Sequence, residues 1–521
     1  MDDPGYERLS GLDHAFLHFE TAETYMHVAL TAIFEAGSLA RPDGCIDVDR
    51  VRAHVASRLH LLPRYRQRLH FAPVTGDPVW VDDHAFDLDL HVRHSHLPRP
   101  GTDEQLKGLI ARLLERPLDR RRPLWEIYVV EGLPGRRFAV LFKVHHCMVD
   151  GIAGIGLLAA LLSPVADAEV PPARPWSPRP VPSTSQMLRD EVRRRTDASF
   201  GLLRSLPGAL ASGGGAAGAR LASLAGFLGA GVRSAAETPL NGPVGPHRRV
   251  EWLEFDLGEM KEVKKRLGGT LNDVVLATVA GAMRRYLGRR GAACEGEFRA
   301  LIPVSTRTVD ESGSGGNRVS AWIAPLPLDE MTTAERFSAI GRLTSTYREN
   351  QEEQGAEVLT ATAEWTTALP LAAAVRLISR SRAFNVIITN VPGPPVPFHL
   401  LDAPMVTGVP HVPLFENQGL GIALLSYAGR FSYGIVGEWD LLPDIDCLAE
   451  AIEESWAELR SAAGLATVER TGGATEDASI LLAEGAWPGE VRGATLEEAG
   501  PPPPGPNGKG VGDREASAAP H

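Results

Sequence analysis

Six of the seven residues in Phe138-Ala139-Val140-Leu141-Phe142-Lys143-Val144 are apolar, and the length and residue types predict a buried strand. Just upstream, Trp125-Glu126-Ile127-Tyr128-Val129-Val130 reads as its neighbour, with a turn at Leu133-Pro134-Gly135. Ile152 to Leu162 fits a short apolar helix packed on a sheet. Further along, Thr270-Leu271-Asn272-Asp273 has the form of a capping box, with an acid three residues after Thr. Leu271, Val274, Val275, Thr278, Ala282 and Met283 then recur at helical spacing. Phe384-Asn385-Val386-Ile387-Ile388-Thr389-Asn390-Val391 predicts a second buried strand, stopped by Pro392-Gly393-Pro394. Leu420 to Glu438 reads as a hairpin turning at Tyr427-Ala428-Gly429-Arg430. Strands and helices mix in both halves, so the expected fold class is α/β (α+β) in two lobes.

Shifts in composition mark the boundaries. Residues 1–163 form the expected N-terminal lobe and 246–465 the C-terminal one. Between them, 164–245 opens with the Pro-rich run Val170 to Pro180 and continues Gly/Ala/Leu-rich through Gly213-Gly214-Gly215, which predicts an extended linker at its start. Residues 466–521 hold Pro501 to Pro504, nine acids and four bases, and few large apolar residues, so a disordered acidic tail is expected. Leu202 to Leu228, apolar, Gly-broken and preceded by Arg193-Arg194-Arg195, has two readings: a membrane-surface element or a connector lying on the protein.

With 521 residues and 44% hydrophobic content, the chain can bury real cores. A formal net charge of -12 argues against general nucleic-acid binding, which rests on neutralising phosphates. No run reaches the ~18 uninterrupted apolar residues of a spanning helix. The start, Met1-Asp2-Asp3-Pro4, has no basic and apolar regions of a secretion signal. Cys45, Cys147, Cys294 and Cys447 stand far apart without a CxxC, which reads as reduced thiols in a cytosolic protein.

Candidate chemistry concentrates in His145-His146-Cys147-Met148-Val149-Asp150-Gly151, directly after the first buried strand. A general base must be neutral near pH 7 and rigidly held. Histidine meets the first need and a strand end the second. Alternation puts Phe138, Val140, Phe142, Val144 and His146 on one side and His145 with Ala139, Leu141 and Lys143 on the other, so the two imidazoles have different jobs. Asp150 can brace the loop or orient a ring, and Gly151 suits a tight turn. Two plainer readings compete: a metal site, which lacks a third ligand at a useful spacing, and a pair of satisfied core histidines.

This heptapeptide resembles the HHxxxDG motif of the chloramphenicol acetyltransferase-like superfamily. Its surroundings resemble the bacterial wax ester synthase/diacylglycerol acyltransferase family over residues 9 to 460. The matching stretches are Leu9 to Leu17, Phe86 to Arg93, Pro117-Leu118, Arg122-Pro123-Leu124-Trp125-Glu126, Pro239-Leu240-Asn241-Gly242, Gly245-Pro246-His247-Arg248-Arg249, Leu271-Asn272-Asp273-Val274, Gly316-Asn317-Arg318 and Thr389 to Pro394. The resemblance implies two chloramphenicol acetyltransferase-like lobes with the active-site channel between them. It implies that His146 is the general base, taking the proton of an acceptor hydroxyl that attacks the thioester of acyl-coenzyme A, with His145 and Asp150 shaping the site and no covalent acyl-enzyme. Gly151, Trp125, Asn272 and Asp273 are then substrate-binding or supporting residues, and Asn272 and the Trp125 indole are the candidate oxyanion donors. An Arg307–Asp150 pair is a further candidate, as related folds pair the motif acid with an arginine. No metal and no cofactor are implied, because acyl-coenzyme A is a substrate. The acceptor is diacylglycerol, a long-chain alcohol, or both, met at an inner-membrane or lipid-droplet surface by a cytoplasmic protein. The competing functions are acyl transfer in complex-lipid assembly, peptide condensation, and non-catalytic lipid binding or droplet coating.

Overall fold

β-branched and aromatic runs separated by Gly, Pro and capped helices build two six-stranded sheets. The computed structural model describes residues 5–72, 76–148, 153–194, 196, 234–292, 294–305, 319–354 and 382–465. The N-terminal half supplies β1 (Tyr6–Arg8), α1 (Gly11–Phe19), β2 (His27–Glu35), α2 (Val48–Arg58), β3 (Gln67–Phe71), β4 (Pro78–Asp82), β5 (Val92–His96), α3 (Asp103–Leu114), β6 (Trp125–Leu133), β7 (Arg137–His145) and α4 (Ala153–Leu161). The C-terminal half supplies β8 (Arg248–Asp256), α5 (Leu257–Leu267), α6 (Leu271–Arg289), β9 (Phe298–Ser305), β10 (Val319–Leu326), α7 (Thr333–Gln354), β11 (Val386–Pro392), β12 (His399–Leu400), β13 (Ala403–His411), β14 (Leu420–Tyr427), β15 (Arg430–Glu438) and α8 (Ile445–Ala462).

One sheet runs β12-β13-β2-β7-β6-β5 and the other β10-β9-β11-β14-β15-β8, with a small β1-β4-β3 sheet beside the first. The described residues all fall within one compact unit. Strand alternation in β7 is regular. Phe138, Val140, Phe142 and Val144 join a core with Phe34, Val51 and Trp125. Ala139 and Leu141 face the opposite cluster with Tyr128, Val130, and Leu106 and Ile110 of α3. The two predicted turns form where positive φ is available: Gly135 and Arg136 at +74° and +55°, Ala428 and Gly429 at +44° and +82°. The second of these puts Tyr427 opposite Arg430.

The capping box forms in full, with Thr270 N–H on Asp273 Oδ2 at 2.8 Å and Asp273 N–H on Thr270 Oγ1 at 3.2 Å. Strand β11 begins at Val386, two residues later than the apolar run suggests. Asn385 is instead spent on cross-links, accepting from Arg299 N–H and donating to Ala236 O, both at 2.8 Å.

Pattern reading did not anticipate that the C-terminal half donates strands to the N-terminal sheet. β12 and β13 come from the C-terminal half, yet β13 pairs antiparallel with β2 in the N-terminal sheet. Its far side packs on the other sheet, where a Cβ at Gly434 of β15 would lie 1.8 Å from the Pro410 carbonyl oxygen. The Pro-rich stretch 170–180 has no regular secondary structure and lies along the N-terminal lobe. There Arg179 pairs with Asp82 at 3.0 Å and Trp176 packs on Phe86 and under Arg66. Leu202 to Leu228, the 466–521 tail, Arg307, Gly316 to Arg318, Asp150 and Gly151 lie outside the described residues.

Candidate active site

His145 is the last residue of β7, opposite His27 of β2. Its main-chain N–H donates to Leu124 O at 2.9 Å. Both ring nitrogens are buried against protein groups. Nδ1 accepts the Cys147 main-chain N–H at 3.0 Å, and Nε2 lies 3.1 Å from Glu20 Oε1. Because Nδ1 is an acceptor, the ring proton is assigned to Nε2, facing the carboxylate. His145 therefore ties the turn after β7 to Glu20 and has no free nitrogen for a reacting hydroxyl.

Glu20 ends α1 and is the hub of this side. Oε1 also accepts Met26 N–H at 3.1 Å, and Oε2 accepts from Arg120 Nη2 at 2.6 Å. Burial acts to raise its carboxyl, but the bonds and charges of His145 and Arg120 outweigh burial and hold it below the ordinary carboxylate range. His27 lies 3.7 Å from the same oxygen. Burial, reinforced by the nearby charges of Lys143, Arg248 and Arg120, drives its imidazole far toward the neutral form. Lys143 is itself buried on this face, held by Leu113 O at 2.9 Å and Arg116 O at 2.5 Å past the end of α3. Its pKa is lowered to about 8, by burial first.

His146 opens the single 3-10 turn His146–Met148 and faces the other way. Its main-chain N–H donates to Met26 O at 2.7 Å. Its ring stacks on Phe16 of α1, with centroids 3.8 Å apart and planes inclined by 23°. Burial pushes the imidazole down to about 4. Its own main-chain carbonyl acts against this and the neighbouring His145 adds to it. Nδ1 is buried without a partner among the described residues, whereas Nε2 is not among the buried unpaired atoms. The residue as a whole is half-buried. From Phe16 a file of rings continues through Phe19 (5.9 Å), Phe415 (5.6 Å) and Phe384 (5.9 Å), from α1 to the residues that enter β11. An apolar wall therefore leads from His146 across the junction of the two halves.

The secondary candidates divide. Trp125 is fully buried, stacked on His91, and its indole N–H donates to Tyr65 O at 2.8 Å. That donor is spent on the Tyr65 main chain, inside the N-terminal core. Asp273 is buried, and its carboxylate is occupied by Thr270 N–H and by the Thr344 hydroxyl at 2.7 Å. Asn272 stands half-buried in the first turn of α6. Asn241 of the linker's closing motif donates to Phe384 O and Asn417 O at 3.1 and 3.0 Å, bracing the loop that carries Phe415. Among the described residues no group of three or more His, Cys, Asp or Glu is arranged to hold a metal ion. Sequence reading missed Glu20, His27 and Arg120. Glu20 lies three residues past the amino-terminal signature, but only the fold shows that it meets His145.

A two-lobed α/β fold with paired imidazoles at a strand end defines an acyltransferase architecture, and comparison with known proteins narrows it. The wax ester synthase/diacylglycerol acyltransferase catalytic domain matches residues 9–275, and the C-terminal domain of that family matches 315–460. The chain belongs to the wax ester synthase/diacylglycerol acyltransferase family and is an acyltransferase. A probable diacylglycerol O-acyltransferase of Mycobacterium tuberculosis is 35% identical over 475 residues, 89% of this chain and 98% of the relative. The solved wax ester synthase/diacylglycerol acyltransferase from Marinobacter aquaeolei VT8 is 26% identical with a TM-score of 0.65, covering 88% of this chain and 100% of that one. The first condensation domain of the calcium-dependent antibiotic synthetase shares the fold at 13% identity and a TM-score of 0.52, over 88% of this chain and 96% of that one.

Proposed function

We propose that this acyltransferase moves a long-chain fatty acyl group from acyl-coenzyme A to diacylglycerol, a long-chain alcohol, or both, with His146 as general base. The observation that carries the assignment of the base is the contrast between the two imidazoles. His145 has Nδ1 on the Cys147 N–H and Nε2 buried 3.1 Å from the Glu20 carboxylate, while His146 is neutral, clamped by Met26 O and Phe16, and has no bond on Nε2 among the described residues. In the step, Nε2 takes the hydroxyl proton as the acceptor oxygen attacks the thioester carbonyl. The tetrahedral adduct then expels the coenzyme A sulfur, which takes up that proton as it leaves as thiol. A base at about 4 is fully deprotonated at neutral pH, and a developing oxyanion nearby stabilises the imidazolium as it forms. Asp150 and Gly151 belong to the same motif, and Asn272 is the remaining candidate donor to the oxyanion. A lipid-binding protein on this fold needs no neutral, oriented base, and nothing in the site favours that reading.

The test follows free thiol from palmitoyl-coenzyme A with dipalmitoylglycerol or hexadecanol as acceptor. His146→Ala is expected to lower the rate by ~10²–10⁴-fold. The acid limb of the wild-type rate should lie near pH 4, since the neutral base is lost only as pH falls through that value. Full activity in His146→Ala removes the base. Absence of thiol release with either acceptor removes the reaction.

Both acceptors are insoluble in water, and no helix among the described residues is long and apolar enough to cross a membrane. We propose peripheral contact with a membrane or lipid-droplet surface, made by the helical residues 184–194. Met187 is buried against the small sheet, and Asp190 and Glu191 bond Tyr6 and Arg8. The outward face carries Leu188 (43% exposed), Val192 (57% exposed), Arg189 and Arg193. That combination of apolar and basic groups suits an anionic lipid surface.

A further inference from the structure

The loop 20–26 serves both histidines. Glu20 holds the His145 ring, and Met26 O holds the His146 main-chain N–H. The loop is folded on itself by Thr21, whose Oγ1 accepts Glu23 N–H and Thr24 N–H at 3.2 and 3.0 Å. It is also gripped from the other lobe. Arg248, the first residue of β8, donates from Nη2 to Glu23 O at 2.8 Å. The same guanidinium donates from Nη1 to Gly245 O at 2.5 Å and His247 O at 3.0 Å, fastening the end of the linker. The Arg248 main-chain N–H and His247 Nδ1 both reach the Glu115 carboxylate, at 2.9 and 3.2 Å, just past α3.

Arg248 is buried, its guanidinium bonds only to three main-chain carbonyls, and the Glu438 and Glu115 carboxylates act on its charge without a direct ion pair within 4.0 Å. A buried guanidinium without an ion-pair partner is costly, and a structural site of this kind is ordinarily filled by a carboxylate pair or an apolar side chain. Here the charge is spent on carbonyls of two segments, the linker end and the 20–26 loop, which meet at the start of β8 only if both are seated.

We infer that Arg248 is a positioning residue for acyl transfer, a clasp through which the seating of the linker and C-terminal lobe fixes the loop that aligns His145 and His146. The inference rests on the reading of His146 as the base. Arg248 acts through Glu23 and Met26 and touches neither substrate nor reacting atoms. Its loss frees the loop, and with it the Met26 carbonyl and the Glu20 carboxylate, while the walls of the site stay in place.

The experiment measures kcat and KM for palmitoyl-coenzyme A, and the pH profile of the rate, in purified full-length protein. Arg248→Met is expected to lower kcat tenfold or more with KM changed less than about twofold, since small misalignments of a base are expensive in rate. Its acid limb should move up from near 4 toward the ordinary imidazole value of 6.5 as water reaches a loosened His146 ring. Arg248→Lys keeps a donor toward Glu23 and should recover part of the rate. Thr21→Val loosens the same loop without touching the lobe junction, so it should reproduce the loss of kcat and the moved limb even if Arg248→Met fails to fold. Wild-type kcat and an unmoved limb in Thr21→Val, or a loss of rate in Arg248→Met that only tracks its folded fraction, overturns the clasp. Failure of the underlying reading looks different, because then the wild-type protein itself releases no thiol.

Discussion

A single carboxylate, that of Glu20, decides how the two adjacent imidazoles differ. It takes a proton-bearing nitrogen of His145, a guanidinium and a main-chain N–H, so both its oxygens are occupied within 3.1 Å. Glu20→Gln keeps the shape but removes the charge, and the new amide presents a donor to either Arg120 or His145. Hydrogen bonds to charged groups contribute roughly 1.5–3 kcal/mol each, so a tenfold or greater fall in kcat and a stability loss of about that size at neutral pH are expected. The pH dependence carries a definite sign. A carboxyl held below its unfolded value of 4.5 stabilises the fold above that value, and this stabilisation is lost as pH falls through the folded value. Acid titration of stability should therefore be shallower below about pH 4.5 in Glu20→Gln than in the wild type. Equal acid slopes from urea melts at pH 3.5 to 6, with an unchanged kcat, contradict the role given to Glu20.

Among elements, those with strong local signals were readable from sequence and those made by distant pairing were not. β7, the capping box at Thr270 and the hairpin through Gly429 each declare themselves in a few consecutive residues, and each forms where the pattern puts it. Alternation along β7 even separates the faces of His145 and His146. Glu20, His27 and Arg120 carry no such signal, because α1, β2 and the segment before β6 come together only through sheet pairing and a carboxylate hub. The helical residues 184–194 illustrate the same divide. Their buried side is set by Tyr6 and Arg8, far away in the chain, and only that contact shows which side faces out. Leu188→Asp with Val192→Asp puts two carboxylates on the outward face. Loss of roughly tenfold or more in co-sedimentation with phosphatidylglycerol vesicles is expected, from lost apolar insertion and added repulsion. Binding like that of the wild type, or equal wild-type binding to phosphatidylcholine vesicles, removes this face as an anionic-lipid contact.

At the scale of the whole molecule, the donation of β12 and β13 to the N-terminal sheet ties the two halves together. β13 completes the N-terminal sheet beside β2, where His411 and Thr31 share a buried bond of 2.8 Å. Its other side lies against β15 so closely that only glycine fits at 434. The N-terminal sheet cannot be completed without β12 and β13 from the C-terminal half, and β13 packs on β15, so both sheets should melt in one transition. Trp80 and Trp125 report on the N-terminal lobe and Trp456 on the C-terminal helical layer, while circular dichroism reports on both. Gly434→Ala would set a methyl group 1.8 Å from a main-chain oxygen, which cannot swing aside as a side-chain end would. The strands must separate locally, at about 3 kcal/mol. If the sheets are coupled as the pairing implies, that cost lowers the urea midpoint of fluorescence and circular dichroism together. A biphasic curve, with the N-terminal tryptophans unaffected, shows instead that the lobes fold independently and that the strand donation does not join them energetically.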